Sequence, residues 1–275
     1  MHAQVLALPP RSQKDAAPAE SRSPADRHFV TALARGLDIL ACFRSGESSL
    51  SNQELARRCG LPKSTVSRLT QTLLRQGYLS HDRDTGKFRL GDATMALGGA
   101  ALARLDMAQI ARPMMQALAD ESRGMVSLAI PNRTSMLYLE VCRSGPAVGS
   151  MMGVGTRLPM VTSAIGRAYL AGIDDADRAE IMVKVRERKP ECWETSREMV
   201  EQALREYRRL GCTCSFGAWQ RGVNAIAVPV ASGMNRPVVA INCGGPVSEM
   251  SQNYLLSVVR PRLLELSARL HTMLR

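Results

Sequence analysis

Five polar side chains lie at helical spacing between residues 64 and 71, where they could hydrogen-bond to the edges of nucleic-acid bases. Arg68 offers two parallel donors that match guanine O6 and N7, and the amide of Gln71 matches adenine N6 and N7. Ser64, Thr65 and Ser67 have short hydroxyls that reach either bases or phosphates. Arg68 is therefore the best candidate for reading a base sequence, if the chain presents these side chains on one exposed helical face.

The surrounding sequence predicts the helices that would present them. Ser51 opens the motif S-N-Q-E, in which its hydroxyl caps the amide of Glu54 and the Glu54 carboxylate reaches back, so a helix begins here and continues to Cys59. Gly60 permits the left-handed turn that ends this helix, and a further helix is predicted from about Pro62 to Gln76. The apolar positions that share the inner face of that helix are Val66, Leu69, Leu73 and Leu74.

One more helix precedes this pair and a basic hairpin follows it. Apolar residues recur at spacings of three and four from Phe29 to Phe43, and the segment YLSHDRDTGKFRL alternates towards a hairpin with an Asp-Thr-Gly turn. Cations near that turn suit phosphate contacts. The order of helix, helix, turn, helix and hairpin is typical of a winged helix-turn-helix, which places its second helix in the major groove. The residues predicted to contact DNA are Ser51, Asn52, Lys63, Ser64, Thr65, Ser67, Arg68, Gln71, Arg83, Lys87 and Arg89.

The charge of the chain is concentrated on the same segment. The 275 residues carry a formal net charge of +11, and residues 27–91 hold eleven basic and five acidic groups. Residues 1–26 are balanced at three and three, and residues 92–275 hold twenty-two and seventeen. This distribution is expected if residues 27–91 meet phosphates. The alternatives are a merely solvated basic face and a helical hairpin that only packs.

Composition excludes several other classes of protein. No apolar run approaches the ~18 residues that span a bilayer, and the first ten residues lack the features of a secretory signal, so a cytoplasmic protein without a membrane partner is predicted. Residues 1–26 are expected to form a disordered tail. The seven cysteines are read as reduced thiols. Cys212 and Cys214 form a C-x-C pair, but His271 is the only histidine beyond the first domain, so no metal and no cofactor are predicted.

The remainder predicts an α+β fold. Residues 92–105 begin a helical stretch rich in Ala and Gly that is expected to be interrupted near Pro113. We expect it to act as linker and dimerisation helix, and the alternative is a helix that is merely buried. Residues 106–275 then alternate strands and helices. Strands are predicted at MVSLAI, MLYLEVC, AVGSMM, CTCSF, VNAIAVPV and PVVAINCGG, and helices at Ala164–Leu170, Asp175–Arg188, Arg197–Leu210 and Gln252–Met273. The predicted domains are therefore a tail (1–26), a winged helix-turn-helix (27–91), a linker (92–105) and a second domain (106–275).

Six motifs in a fixed order resemble the IclR family of bacterial transcriptional regulators. They are ALARGLDILACF, ELARRCGLPKSTVSRLTQTLLRQGYL, GKFRLG, LPMVTSAIGRAYLA, GVNAIAVPV and INCGGPVSEM, and the resemblance spans roughly residues 29–274. The resemblance implies an N-terminal winged helix, a helical linker and a C-terminal α/β domain with a curved antiparallel sheet and a small-molecule pocket. It further implies homodimers or homotetramers that bind double-stranded operator DNA.

The same resemblance, together with the neighbouring aromatic residues and a helix N-terminus, gives candidate effector-binding residues. They are Met151, Met152, Thr162, Ser163, Ala164, Ile165, Ser215, Phe216, Trp219, Asn224, Ala225, Ile226, Asn242 and Gly244. Ser215, Gly217 and Ala218 stand where the family commonly has acids, and Ala225 where it often has a cysteine. Fewer negative charges favour a carboxylate effector, and Phe216 and Trp219 could cover an aromatic ring. Core packing explains the Met pair and Trp219 equally well.

An enzyme with an appended DNA-binding domain is the alternative. Ser163 and Cys243 could be nucleophiles, but a general base would normally be a histidine and only His271 is available in that half of the chain. No G-x-S-x-G elbow, GxGxxG fingerprint or P-loop is present. The sequence therefore favours a non-enzymatic regulator that senses a small organic acid, either aromatic or aliphatic.

Overall fold

The computed structural model describes residues 29–43, 47–102, 106–144, 152–230 and 238–273. The chain divides into two compact units, residues 1–104 and 105–275. The predicted tail and the predicted strand AVGSMM, except for its last residue, lie outside the described residues.

The first unit is a winged helix-turn-helix. Its elements are α1 (Thr31–Leu40), α2 (Asn52–Cys59), α3 (Lys63–Arg75), β1 (Leu79–Asp82), β2 (Lys87–Leu90) and α4 (Asp92–Leu102). Ile39, Leu55 and Val66 pack together because each helix buries one apolar stripe. The backbone of Leu50 exchanges two hydrogen bonds with Phe88, at 2.9 and 2.8 Å, so the segment before α2 is tied to the hairpin.

The second unit is a mixed α+β domain. Its elements are α5 (Asp106–Ser122), β3 (Met125–Asn132), β4 (Ser135–Arg143), β5 (Arg157–Pro159), α6 (Ala164–Gly172), α7 (Asp175–Arg188), α8 (Trp193–Leu210), β6 (Thr213–Phe216), β7 (Val223–Val230), β8 (Val239–Pro246), α9 (Gln252–Tyr254) and α10 (Arg260–Met273). A π-helical turn, Leu255–Val259, joins α9 to α10, so the predicted C-terminal helix is confirmed as one continuous helical segment. Short β5 was not predicted.

The described strands of this unit form one curled antiparallel sheet in the order β5-β4-β3-β8-β7-β6. Side chains alternate between its two faces. Ile226, Val228 and Ile241 point to the face that α5 and α10 cover. Ala225 and Ala227 point to the face that α6 covers. Both faces of the central strands are therefore buried, and α6 can approach closely because its face carries small side chains.

The predicted interruption near Pro113 is wrong, because α5 runs through Pro113 from Asp106 to Ser122. Pro113 and Gln109 are both exposed, and the Gln109 carbonyl lacks the helical hydrogen bond that an amide at position 113 would donate. The opposite side buries Ala111 and Met115 in the core. Burial of that side stabilises α5 and offsets the missing hydrogen bond. Another boundary also differs, since α8 begins at Trp193 and not at Arg197.

We expect Gly166→Ala in α6 to destabilise the second unit, by about 1–3 kcal/mol or more. A Cβ atom at this position would clash with the backbone carbonyl of Met160, which cannot rotate away. Gly98→Ala in α4 is the matched control, since a Cβ there meets no described atom within 4 Å. That change should be neutral or stabilising by about 0.5–1 kcal/mol. Chemical denaturation of both variants measures the difference, and equal effects would contradict the tight packing of α6.

Candidate functional site

The start of α2 is fixed by a reciprocal cap. The amide of Glu54 donates to Ser51 Oγ at 3.2 Å, and the amide of Ser51 donates to the Glu54 carboxylate at 2.8 Å. The Ser51 hydroxyl also donates to that carboxylate at 2.7 Å, and the hydrogen bonds from the amide and the hydroxyl of Ser51 lower the pKa of Glu54. Gly60 ends α2 in the left-handed region at φ +65°. The capping box and the turn glycine predicted from the sequence are both confirmed.

The polar side of α3 is open to solvent. Ser64, Ser67, Arg68 and Gln71 are exposed, and Thr65 is half-buried. The Asn52 amide donates to Ser67 Oγ at 3.0 Å and to the carbonyl of Lys63 at 3.4 Å, so Asn52 and Ser67 hold α2 against α3. Arg68 and Gln71 are therefore the long side chains of this face with the reach and hydrogen-bonding groups to read bases.

The hairpin of β1 and β2 carries further cations of the first unit. Arg83 and Arg89 are exposed and Lys87 is half-buried. Arg89 Nη2 donates to Asp82 Oδ2 at 2.6 Å, but its side chain keeps 54% of its surface exposed. Because the Leu50 to Phe88 backbone bonds anchor β2, the hairpin is a supported element and not a free loop. Its cations are suited to phosphate contacts.

A narrow cavity lies in the second unit between the sheet and α6. Its floor is a row of paired strand positions, Ser215 with Ala225, Ala225 with Gly244, and Gly244 with Met125. The N-terminal residues of α6, with Met152 and Trp219, line the rest of it. The free internal volume is about 20 Å³. That is room for about one water molecule, so the cavity is almost closed.

The cavity contains neutral polar groups. Tyr138 Oη accepts a hydrogen bond from the Asn242 amide at 3.4 Å, and burial raises the pKa of Tyr138 to about 12, so its phenol stays protonated at neutral pH. Asn242 Oδ1 is buried and has no donor in the described part of the chain. The pair can therefore offer a ligand a phenol and an amide oxygen.

A buried cation lies one carbonyl away from the cavity. The carbonyl of Thr162 accepts from Ser215 Oγ at 3.0 Å and from Arg167 Nη2 at 3.3 Å. Arg167 is 5% exposed, and its Nε has no acceptor among the described residues. Burial lowers the pKa of Arg167, while the charge of Glu206 opposes that effect. The guanidinium remains positive because its ordinary pKa is so high.

Profiles of two known domains match the two units. The IclR helix-turn-helix domain matches residues 32–83, and the bacterial transcriptional regulator IclR C-terminal domain matches residues 99–270. The chain belongs to the IclR family of transcriptional regulators. Its N-terminal helix-turn-helix is accordingly a DNA-binding domain.

Individual IclR-family proteins resemble the chain over most of its length. The HTH-type transcriptional regulator TsaQ1/TsaQ2 of Comamonas testosteroni is 35% identical over 242 residues, which is 86% of each protein. A crystal structure of an IclR-family regulator from Brucella abortus is 40% identical with a TM-score of 0.77, covering 94% of this chain and 97% of that one. An IclR homologue from Microbacterium hydrocarbonoxydans, complexed with 4-hydroxybenzoate, is 25% identical with a TM-score of 0.68, covering 89% and 99%.

The structure separates the candidate effector-binding residues of this IclR-family chain that line the cavity from those that pack elsewhere. Met152, Ser163, Ala164, Ile165, Ser215, Trp219, Ala225, Asn242 and Gly244 line the cavity, and Thr162 supports it through its carbonyl. Phe216 and Ile226 pack in the opposite core, and the Asn224 amide donates to the carbonyl of Met250 at 2.9 Å. The reason is strand alternation, since each is next in sequence to a residue that faces the cavity. Met151 lies outside the described residues.

Sequence reasoning missed other cavity residues. Met125, Tyr138, Leu158, Val223 and Gly245 also line it. The alternation that excludes Phe216 would have found Val223, two positions before Ala225 on the same strand face. Met125 and Tyr138 lie at the cavity because β3 pairs with β8 and with β4, and that pairing cannot be read from the sequence.

The two candidate nucleophiles are held in structural roles. Ser163 Oγ donates to the carbonyl of Pro159 at 2.6 Å and accepts from the amide of Gly166 at 3.1 Å. Cys243 is fully buried, and burial raises its pKa to about 11, so it stays a thiol. In the described structure, neither the Ser163 hydroxyl nor the Cys243 thiol contacts a general base that would activate it as a nucleophile.

Within the described ranges, no three His, Cys, Asp or Glu side chains are grouped to hold a metal ion. Among the described helices, none has the length and apolar character to cross a membrane.

The capping box yields a pH-dependent prediction. The folded state lowers the pKa of Glu54, so its contribution to stability is complete above the ordinary carboxyl range and disappears as the pH falls through the lowered value. We expect Glu54→Gln to lower the melting temperature at pH 7 and to make little difference near pH 2. Ser51→Ala should cost about 1 kcal/mol at pH 7. Thermal melts across this pH range are the measurement, and a deficit that does not depend on pH would contradict the assignment.

Proposed function

We propose that this IclR-family regulator binds a specific double-stranded operator and changes its affinity for DNA when a small organic acid, of the aromatic class, occupies the cavity above β7 and β8. Direct reading of the operator rests on the exposed face of α3. Arg68 and Gln71 point to solvent, whereas Asn52 and Ser67 are engaged with each other. Four further cations bind phosphates in this proposal, because they lie at the start of α3 or in the hairpin and not on the central turns of α3. They are Lys63, Arg83, Lys87 and Arg89.

The observation that carries the effector half is a buried cation beside a cavity without acids. Arg167 lies behind the Thr162 carbonyl and keeps one N–H without an acceptor in the described structure. The first amides of α6, at Ala164 and Ile165, have no partner within their own helix and lie at the cavity. Both features favour a carboxylate. Tyr138 and Asn242 would bind a hydroxyl or carbonyl on the far side of the ligand.

An aromatic acid is supported by two further points. Trp219, Met152 and Ile165 provide the apolar walls against which a ring can pack. The homologue from Microbacterium hydrocarbonoxydans was solved with 4-hydroxybenzoate. The small volume of the cavity requires that Trp219 or Met152 move outward to admit such a ligand. The effector therefore pairs with an opened form of the second unit.

We further propose that the regulator acts as a homodimer or homotetramer. Leu33 and Leu37 on α1 expose 62% and 56% of their surface, and Met95 and Leu97 on α4 are more than half exposed as well. Exposed large apolar side chains on two helices of a small unit favour burial against a second copy. Two copies would also present two α3 helices to a two-fold operator.

Substitutions in the DNA-binding unit should separate base reading from phosphate binding. We expect Arg68→Ala to weaken the free energy of binding to operator DNA by about 1–3 kcal/mol, because it removes base contacts. Its binding to a scrambled duplex should change little. Lys87→Ala should weaken both duplexes alike and make the salt slope shallower by about one. Arg205→Ala, an exposed cation on α8, is the control for general charge loss. Binding isotherms at several salt concentrations decide, and equal losses of Arg68→Ala on both duplexes would refute the base-reading role.

The cavity is tested by placing a charge in it. In a Trp193→Phe background, fluorescence of Trp219 reports binding of 4-hydroxybenzoate and related acids, with 4-hydroxybenzamide as the uncharged partner. We expect the acids to bind and the amide to bind less well. Ser215→Asp should weaken acid binding at least about tenfold relative to Ser215→Asn, which matches its shape without its charge. If amides bind as tightly as acids, or if the two Ser215 variants behave alike, the effector is not an anion held at this place.

A further inference from the structure

Two thiols meet in the first unit at a place that the DNA-binding function does not require. Cys42 follows the end of α1 and Cys59 is the last residue of α2, and their Sγ atoms lie 3.1 Å apart. Both side chains are half-buried, so small solutes can reach them. A disulfide needs an S–S distance of about 2.05 Å. A shift of about 1 Å would therefore bring the two sulfurs to bonding distance.

We propose that Cys42 and Cys59 form a dithiol site that hydroperoxides oxidise to a reversible disulfide, which clamps α1 to α2 within the helix-turn-helix. The site is specific because the other described cysteines lack this combination of proximity and access. Cys142 and Cys243 are buried and Cys192 is exposed on its own 3-10 turn. The remaining pair, Cys212 and Cys214, is buried in the core of the second unit.

The surroundings assign different roles to the two thiols. The Cys42 and Cys59 thiols share a hydrogen bond that either can donate when both are neutral. That bond, together with burial, raises the pKa of Cys59, so Cys59 keeps its proton and is the donor when Cys42 is ionised. Arg58 Nη1 donates to the carbonyl of Cys42 at 2.8 Å, which places a guanidinium near that thiol. Glu47 pairs with the same guanidinium at 2.6 and 2.8 Å and reduces its field, and the charge of Asp38 also acts on Cys59. A nearby cation and a donated hydrogen bond favour the thiolate, so Cys42 is the attacking sulfur and Cys59 the resolving one.

The chemistry balances with a hydroperoxide as the oxidant. The Cys42 thiolate attacks one peroxide oxygen, the O–O bond breaks, and the leaving alkoxide or hydroxide takes up a proton, which leaves a sulfenic acid on Cys42. The Cys59 sulfur then attacks the sulfenic sulfur as its thiol proton leaves. An S–S bond forms, the S–O bond breaks and water departs. Two thiols and one hydroperoxide thus give one disulfide, one alcohol or water, and one further water.

The disulfide has a consequence for the DNA-binding unit. The two cysteines are 17 residues apart, and closing that loop restricts the unfolded chain. Cys59 also directly precedes Gly60, which starts the turn into α3. Oxidation is therefore expected to raise the melting temperature of the first unit by about 12–24 °C. A reductant should restore the original value.

The test uses the full-length protein and hydrogen peroxide. After oxidation and alkylation of the remaining thiols, peptide mass mapping should find the peptides of Cys42 and Cys59 joined, lighter by two hydrogen atoms, and separated again by dithiothreitol. Cys59→Ser removes the resolving thiol, so Cys42 should then be trapped by dimedone as a sulfenic acid. Cys192→Ser is the matched control and should leave the cross-link unchanged. Calorimetry before and after oxidation measures the shift in the first unit.

The outcomes are separable. The site is refuted if Cys42 and Cys59 remain open to alkylation at peroxide concentrations that oxidise Cys192, or if either cysteine links to a different cysteine. The clamp is refuted if the disulfide forms but the melting temperature stays the same or falls. Since melting in the absence of DNA is the readout, a failure here is distinct from a failure of operator or effector binding.

Discussion

The two-sided sheet of the second unit is the constraint on which its other features depend. Because β7 and β8 are buried on both faces, every position must suit one of two different environments. The positions facing α5 and α10 carry bulky residues such as Ile226 and Ile241, which fill a conventional core. The positions facing α6 are small at Ala225 and Ala227, so α6 packs close to the sheet and leaves only a narrow cavity. One alternation thus provides both the stability of the unit and the place for a ligand.

The same alternation explains what could be predicted from the sequence and what could not. Local signals were sufficient for the first unit, because Ser51, Glu54 and Gly60 act on residues three or four positions away. The cavity residues were predicted as contiguous runs. Phe216 and Asn224 do not line the cavity, because neighbouring residues in a strand point to opposite faces of the sheet. Tyr138 could not be found, because its position depends on pairing between β3 and β4. The interruption predicted near Pro113 was wrong for a related reason, because tertiary packing decides that Pro113 lies on the exposed side of α5.

In the first unit, polar residues divide into those that hold the helices together and those left for a partner. Asn52 and Ser67 bond to each other, and the Thr70 hydroxyl bonds to the carbonyl of Ser67. The bond between Asn52 and Ser67 joins α2 to α3, and the bond of Thr70 lies within α3. Neither contact involves Arg68 or Gln71. Sequence alone could not make this division, because all of these residues have the chemistry to bind DNA.

The closed state of the cavity bears on how a ligand could act on the proposed function. Sites for small organic ligands usually measure about 300–1,000 Å³, far above the ~20 Å³ that is free here. A ligand must therefore bind a second arrangement in which Trp219 or Met152 has moved, and it binds the closed arrangement hardly at all. A ligand shifts an equilibrium only by its difference in affinity between two states, and exclusion from one of them makes that difference large. Under the proposed function, the small residues that let α6 pack close to the sheet would also make the unit responsive, because a bound ligand would exclude the closed arrangement.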